Sequence, residues 1–222
     1  NQITKWFENL SKELHIPLFM IDTCYNYEDY VTESRMKYIR AQLDQYREDL
    51  CRFTGKTWDE KRFKEVMDLS ARNKELWIRA NEMLAVRPAP MNGFELFNYM
   101  SCMVCNRGKA STTRILEQLC REIEEHIRQG TSTYPVEEKY RIFWDGIACW
   151  PYLSHNLRIL KEYGINMVAS GYVKAWALDY ESNDLDGMAK AYTYCPANNN
   201  NLSTFVKRRA DALRQFGCDG MI

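Results

Sequence analysis

Hydrophobic residues recur at helical spacing through most of the first 130 positions of the chain. Residues 4–14 place four apolar side chains on one face and predict an amphipathic helix, the four being Trp6, Phe7, Leu10 and Leu14. A second stretch, which ends at Gly55, repeats apolar residues at steps of three and four, namely Met36, Ile39, Leu43, Tyr46, Leu50 and Phe53. Both patterns predict helices with one apolar face.

Three more helices are predicted before residue 130. The first opens at the capping-box pattern Thr57–Glu60 and runs toward Arg87. The others cover 94–105 and about 111–129, where Gly130 supplies the C-terminal cap.

The pattern changes to alternating strands and helices after Tyr140. It predicts strands at 140–144, 165–170 and 218–222, with helices at about 153–163, 184–193 and 202–216. A short apolar run after Pro17, residues 18–21, predicts one further strand.

These elements predict an α/β fold class in three parts. Residues 1–29 are expected to be the end of one α/β lobe, 30–138 a helical insert with its linker, and 139–222 the start of a second, parallel-sheet α/β lobe. Because the chain opens on a helix and strand and closes on an apolar strand, we expect a fragment of a longer polypeptide.

Three loops follow predicted strands, at 22–27, 145–150 and 171–176, and we expect them to converge. Ligands in open α/β sheets bind at the carboxyl ends of the strands. The second loop holds a thiol and an indole, so it is the leading candidate for a pocket wall: Asp145, Gly146, Ile147, Ala148, Cys149 and Trp150.

Composition excludes several classes of function. Thirty basic residues balance thirty acidic ones among 222, which argues against nucleic acid or an anionic membrane surface as a partner. No apolar run approaches the roughly 20 residues that a membrane span needs. We therefore expect a cytoplasmic protein.

Eight cysteines in a chain of this length are expected to be reduced. The spacing Cys102-x-x-Cys105 lacks the second pair that a zinc site needs and falls late in a helix, which favours a structural role. Cys149 stands in the strand-end loop, where pocket lining near a redox cofactor and simple packing are equally open. His15, His126 and His155 are too scattered to indicate a catalytic triad.

Residues 198–201 are four asparagines before a predicted helix. They are typical of an N-terminal cap, and the alternative is a site for an anionic ligand such as a phosphate or a thioester-bound acid. The basic run Lys207–Arg209 is interpreted as a solvated helix face. Glycine-rich phosphate loops are absent from the sequence.

Several segments together resemble the 2-hydroxyacyl-CoA dehydratase family. They are residues 5–8 (KWFE), 15–22 (HIPLFMID), 25–26, 37–43, 54–56, 88–98 (PAPMNGFELFN), 145–151 (DGIACWP) and 219–220. The similarity to the 2-hydroxyglutaryl-CoA dehydratase alpha-type subunit spans nearly the whole chain. Residues 5–8, Tyr192 and 199–202 are also similar to benzoyl-CoA reductase subunits of the same superfamily.

The resemblance implies one subunit of a heteromeric iron–sulfur enzyme with an acyl-CoA substrate and a homologous second subunit. A separate ATP-hydrolysing iron–sulfur activator is implied as the source of one electron at low potential. That electron would form a ketyl radical on the substrate thioester, and loss of water from an (R)-2-hydroxyacyl-CoA would follow. The reductase branch would reduce an aromatic acyl-CoA instead.

The resemblance also implies a [4Fe-4S] cluster, whose cysteine ligands are expected outside these 222 residues, so no metal ligand is assigned. The candidate lining of the substrate or cluster pocket is the 145–150 loop together with Tyr25, Asn26, Asn199 and Asn200. An alternative from another class is a non-catalytic α/β scaffold subunit without a cluster.

Overall fold

The computed structural model describes residues 2–182, 184–199 and 201–222. It is a mixed α/β fold in which a helical section precedes a small sheet, and further helices connect the strands of that sheet. The helices are α1 Gln2–Leu14, α2 Glu33–Thr54, α3 Glu60–Glu82, α4 Glu95–Cys105, α5 Ala110–Gln129, α6 Leu153–Glu162, α7 Gly171–Ala175, α8 Leu185–Tyr194 and α9 Leu202–Gln215. The strands are β1 Tyr140–Trp144, β2 Ile165–Ser170 and β3 Gly220–Met221, and short 3-10 helices cover Met83–Ala85 and Trp150–Tyr152.

The predicted helices are confirmed, and their ends have identifiable causes. Gly55 and Gly130 end α2 and α5 with φ of 67° and 64°, a left-handed conformation that glycine adopts without steric cost. The N-terminal cap of α3 was predicted at Thr57 and lies instead at Asp59, whose carboxylate accepts a hydrogen bond from the Arg62 N–H. Either residue type can cap a helix, and Asp59 stands directly before the first helical residue.

The sheet is parallel, with strand order β2-β1-β3. The β1–α6–β2 unit is the one that the sequence predicted. The last strand is shorter than predicted, because ladder pairing covers only Gly220 and Met221. Backbone hydrogen bonds extend this edge on both sides, from Asp219 N–H to Arg141 O at 2.8 Å and from Asp145 N–H to Ile222 O at 2.7 Å.

Two predicted elements are wrong. Residues 18–21 form no strand, and the Phe19 ring packs edge-on against Tyr46 and Phe53 of α2, with ring centroids 6.4 and 5.7 Å apart. A strand needs a neighbouring strand for its ladder hydrogen bonds. This segment instead has helix α2 as its neighbour, which its side chains contact by packing. Residues 171–176, predicted as a loop, begin with helix α7, which the Ser170 hydroxyl caps.

One hydrophobic core joins the helices to the sheet. Its fully buried members include Trp77 of α3, Phe97 of α4, Leu116 of α5 and Met167 of β2. By contrast, Trp6, Phe7, Leu10 and Leu14 of α1 are each at least half exposed. Across the described ranges, none of the helices is both long and apolar enough to cross a membrane.

Candidate functional site

The loop after β1 turns sharply at the carboxyl edge of the sheet. Gly146 has φ of 87°, which side chains other than glycine rarely adopt, and it reverses the chain directly after Asp145. Ile147 is 69% exposed, whereas Ala148 is only 3% exposed and anchors the far side of the loop in the core. Cys149 is exposed. The predicted loop therefore presents an apolar side chain and a thiol to the surface.

The Asp145 carboxylate is held by a guanidinium from α9. Arg209 Nε donates to Asp145 Oδ2 at 2.8 Å, and its Nη2 donates to Oδ1 at 2.7 Å, which is a bidentate pair. Helix α7 also approaches this carboxylate, since a Cβ added at Gly171 would lie 3.6 Å from Asp145 Oδ1. The loops predicted at 145–150 and 171–176 are thus neighbours.

Aromatic rings line the sheet edge beside the loop. The Trp150 ring packs edge-on against Phe97, with centroids 6.0 Å apart, and Trp144 packs against Phe94 and Phe97 at 5.4 and 6.3 Å. The indole N–H groups of Trp144 and Trp176 are buried and have no hydrogen-bond acceptor within the described ranges. This edge therefore combines an apolar wall with one unpaired donor, the indole N–H of Trp144.

Asn26 is fully buried, and its hydrogen-bonding groups are used within the chain. Its Nδ2 donates to the carbonyls of Glu28 and Tyr30 at 2.7 and 3.0 Å, and its Oδ1 accepts from Arg35 Nη1 at 3.0 Å. Its backbone N–H donates to Asn198 O at 2.8 Å. Neighbouring Tyr25 is 55% exposed. Asn26 therefore shapes this segment, and Tyr25 is the side chain that the segment presents.

The asparagine run lies against the segment that contains Asn26. Asn26 and Asn199 form a parallel β-bridge, and Asn201 Nδ2 donates to Tyr27 O at 2.9 Å. Asn201 is also the N-terminal cap of α9, because its Oδ1 accepts from the Thr204 N–H at 2.8 Å. Asn199 is 3% exposed, and its Nδ2 has no acceptor among the residues that the structure covers. Asn200, another predicted site residue, lies outside the described residues.

Helix α9 connects the candidate segments. Its N-terminus touches Tyr27, and Arg209, two turns further along, holds the 145–150 loop. The sequence interpretation of Lys207–Arg209 as a solvated face is therefore wrong for Arg209. Steps of four from Asn201 through Phe205 to Arg209 place all three on one helix face, and this spacing is the signal that could have found it.

The histidines and cysteines of the described residues do not assemble a metal site. No group of three or more His, Cys, Asp or Glu side chains in ranges 2–182, 184–199 and 201–222 is placed to hold a metal ion. His155 Nδ1 lies 3.2 Å from Arg158 Nη2, and His126 Nδ1 lies 2.9 Å from the Thr131 hydroxyl. Burial raises the pKa of the Cys102 thiol. These residues do not fit a [4Fe-4S] cluster.

The fold is that of an α/β protein whose parallel sheet carries the 145–150 loop at its carboxyl edge. The family model for the 2-hydroxyglutaryl-CoA dehydratase D-component matches residues 1–222. The chain belongs to this family. It is 49% identical over 221 residues to the (R)-2-hydroxyisocaproyl-CoA dehydratase alpha subunit of Clostridioides difficile. The aligned region covers 99% of this chain and 54% of the relative.

Two further relatives extend the comparison. The (R)-phenyllactyl-CoA dehydratase alpha subunit of Clostridium sporogenes is 41% identical over 222 residues, covering 100% of this chain and 54% of the relative. A benzoyl-CoA reductase subunit of Thauera aromatica is more distant, 25% identical over 233 residues, with 98% and 54% covered. The chain spans about half the length of these curated relatives.

Proposed function

We propose that this protein acts as one subunit of a heteromeric 2-hydroxyacyl-CoA dehydratase. The reaction removes the hydroxyl from C2 and a proton from C3 of an (R)-2-hydroxyacyl-CoA, giving a 2-enoyl-CoA and water without net oxidation. The observation that carries the proposal is the match over the whole chain to the dehydratase family, with 49% identity to a named alpha subunit.

We propose that the sheet edge lines the acyl-CoA pocket. The exposed Ile147 side chain and the Trp150 ring offer apolar contact area beside the strand ends, as small-molecule sites usually do. Tyr25 and Asn199, which lie beside the N-terminus of α9, would border the pocket on its other side. An acyl group with an apolar side chain suits this surface, and the two dehydratase relatives described above are named for such acyl groups.

The mechanism that the family resemblance implies is part of the proposal. It consists of a ketyl radical formed by ATP-driven one-electron injection, a homologous partner subunit and a separate activator. A [4Fe-4S] cluster would supply one-electron chemistry at low potential. Anaerobic purification of the full-length protein with its partner, followed by iron and sulfide analysis, tests this part. A colourless protein free of iron would contradict it.

The activity is tested with the full-length subunit, its partner subunit, the activator, ATP and a reductant under anaerobic conditions. The substrates are the CoA esters of (R)-2-hydroxyisocaproate, (R)-phenyllactate, (R)-2-hydroxyglutarate and benzoate, and the product is read by mass. We expect a product lighter by one water, with the highest kcat/KM for an apolar acyl group. Reduction of benzoyl-CoA alone would favour the reductase branch, and no turnover of any ester would favour a scaffold subunit.

The pocket assignment predicts that acyl-CoA protects the loop. Cys149 is exposed, so iodoacetamide should label it in the full-length complex, and saturating acyl-CoA should slow this labelling about tenfold or more. Cys105 is the matched control, because it is exposed on α4 and should label equally with and without ligand. Equal labelling of Cys149 in both conditions would contradict its place in the pocket.

A further inference from the structure

Arg209 stands where α9 meets the 145–150 loop. The helix begins beside Tyr27, where the Asn201 cap donates to the Tyr27 carbonyl at 2.9 Å. Eight residues along a helix advance about 12 Å, which takes the same face from Asn201 to Arg209. One rigid element thus ties the Tyr25–Tyr27 segment to the loop after β1.

The ion pair between Arg209 and Asp145 fixes the orientation of the Asp145 carboxylate. Two parallel hydrogen bonds, at 2.8 and 2.7 Å, set the plane of the carboxylate as well as its distance, which a lysine ammonium does not do. The guanidinium also stacks on Phe205, 3.2 Å from the ring centroid. Both side chains are mostly shielded, with 22% of Arg209 and 27% of Asp145 exposed, so solvent screening of the pair is reduced.

Two contacts hold the first residue of the loop: the backbone N–H of Asp145 donates to Ile222 O at 2.7 Å, and its side chain is held by this pair. Asp145 is followed by Gly146, whose backbone has no side chain to restrict it, and then by the exposed Ile147. Ala148 and Trp150 anchor only the far end. Without a partner, a carboxylate so shielded from solvent would turn toward water and take the start of the loop with it.

We propose that Arg209 is a positioning residue. Through its bidentate pair with Asp145 it holds the 145–150 loop in the orientation that receives the acyl-CoA substrate. Arg209 itself touches neither substrate nor cofactor in this role. The proposal rests on the proposed function for its kinetic consequence, and its structural part can be measured separately.

Hydrogen–deuterium exchange tests the structural part in the full-length subunit assembled with its partner. We expect Arg209→Met to raise amide exchange in residues 145–150 about tenfold, while exchange in α9 and β2 stays as in the wild type. Arg209→Lys, which keeps the charge and loses the second N–H, should give an intermediate value. Lys207→Met is the matched control on the same helix, because its side chain is 78% exposed and pairs with Asp211 of the same helix. Unchanged exchange at 145–150 in Arg209→Met would overturn the proposal.

Steady-state kinetics on the same proteins test the consequence. We expect Arg209→Met to raise KM for the acyl-CoA about fivefold or more with a smaller change in kcat, since the loop would no longer be held ready to bind. Arg209→Lys should show a smaller rise in KM than Arg209→Met. If Arg209→Met is poorly folded, the KM of Arg209→Lys tests the positioning role by itself. Faster loop exchange with an unchanged kcat/KM would overturn the positioning role. Inactivity of the wild type on every ester would contradict the proposed function alone. Hydrogen–deuterium exchange would then still show whether the Arg209–Asp145 pair holds the 145–150 loop.

Discussion

Cys218 differs from the exposed thiols of the chain because burial raises its pKa from 9.0 to about 11. Two pKa units lower the thiolate fraction about a hundredfold at neutral pH, and the thiolate is the form that reacts with alkylating agents. We expect the alkylation rate of Cys218 to keep rising up to about pH 11, as measured by peptide mass spectrometry. The exposed Cys105, or Cys218 in urea-unfolded protein, is the comparison.

The same shift affects stability. The folded state keeps the Cys218 proton to higher pH than the unfolded state, so its contribution to the free energy of unfolding is complete below about pH 9 and is lost as the pH rises toward about 11. A Cys218→Ala variant should show a smaller loss of stability across that window in urea titrations. An identical pH profile for variant and wild type would contradict the assigned shift.

At the residue scale, local roles were predictable from the sequence and distant partners were not. Asn201 as a helix cap is confirmed, because capping depends on residues two or three positions away. Asp145 pairs with Arg209, 64 residues later, and no local pattern in the loop indicates which helix face will approach it. Asn26 was predicted to line a pocket, whereas its side-chain amide donates to neighbouring carbonyls.

Among the elements, the turn before α4 depends on close approach of two backbones. A Cβ added at Gly93 would overlap the Met167 carbonyl of β2, while the Gly93 N–H donates to Asn166 Oδ1 at 3.3 Å. We expect Gly93→Ala to lower the free energy of unfolding by about 1–3 kcal/mol or more, because backbone must move to relieve the overlap. Gly220→Ala is the control, since nothing lies within 4 Å of its Cβ position. Equal unfolding midpoints for the two variants would show that the turn adapts freely.

Helices were predictable here because their hydrogen bonds are internal and their apolar faces repeat along the sequence. Every predicted helix is present, within a few residues at each end. The strand predicted at 18–21 failed for the opposite reason: its existence depends on a neighbour, and the same apolar run packs Phe19 on α2 instead. The short last strand, Gly220–Met221, shows the same dependence on β1.

On the scale of the whole molecule, the sequence predicted that the 145–150 loop would follow a strand at the carboxyl edge of the sheet, but not which elements would hold the loop there. The carboxyl edge of a parallel sheet follows from element order alone, and the 145–150 loop lies there. The connection of that loop to the asparagine run by α9 depends on packing of elements distant in sequence. The core likewise depends on packing between distant elements. It joins α3, α4 and α5 to β1 and β2, across the boundary predicted between residues 138 and 139.

A buried charge network fastens the helical section to the sheet. Arg141 of β1 is 1% exposed and donates to Phe216 O at 2.9 Å, Val86 O at 3.1 Å and Leu84 O at 2.7 Å, besides its ion pair with Glu138. Glu138 in turn accepts from Asn166 Nδ2 of β2 at 2.9 Å. A single guanidinium therefore satisfies carbonyls on both sides of residue 139.

We predict that Arg141→Leu destabilises the helical section and the sheet together. Removing Arg141 leaves the buried Glu138 charge without its ion-pair partner and takes a donor from each of three carbonyls, which costs about 3–5 kcal/mol. Unfolding of the full-length subunit in urea gives the total, and hydrogen exchange in α5 and β2 should rise by the same factor if the sections unfold as a unit. Arg214→Leu is the control, because its side chain is 78% exposed and its loss should change stability by less than about 0.5 kcal/mol. Faster exchange in β2 with α5 unchanged would show that the two sections unfold independently despite their common core.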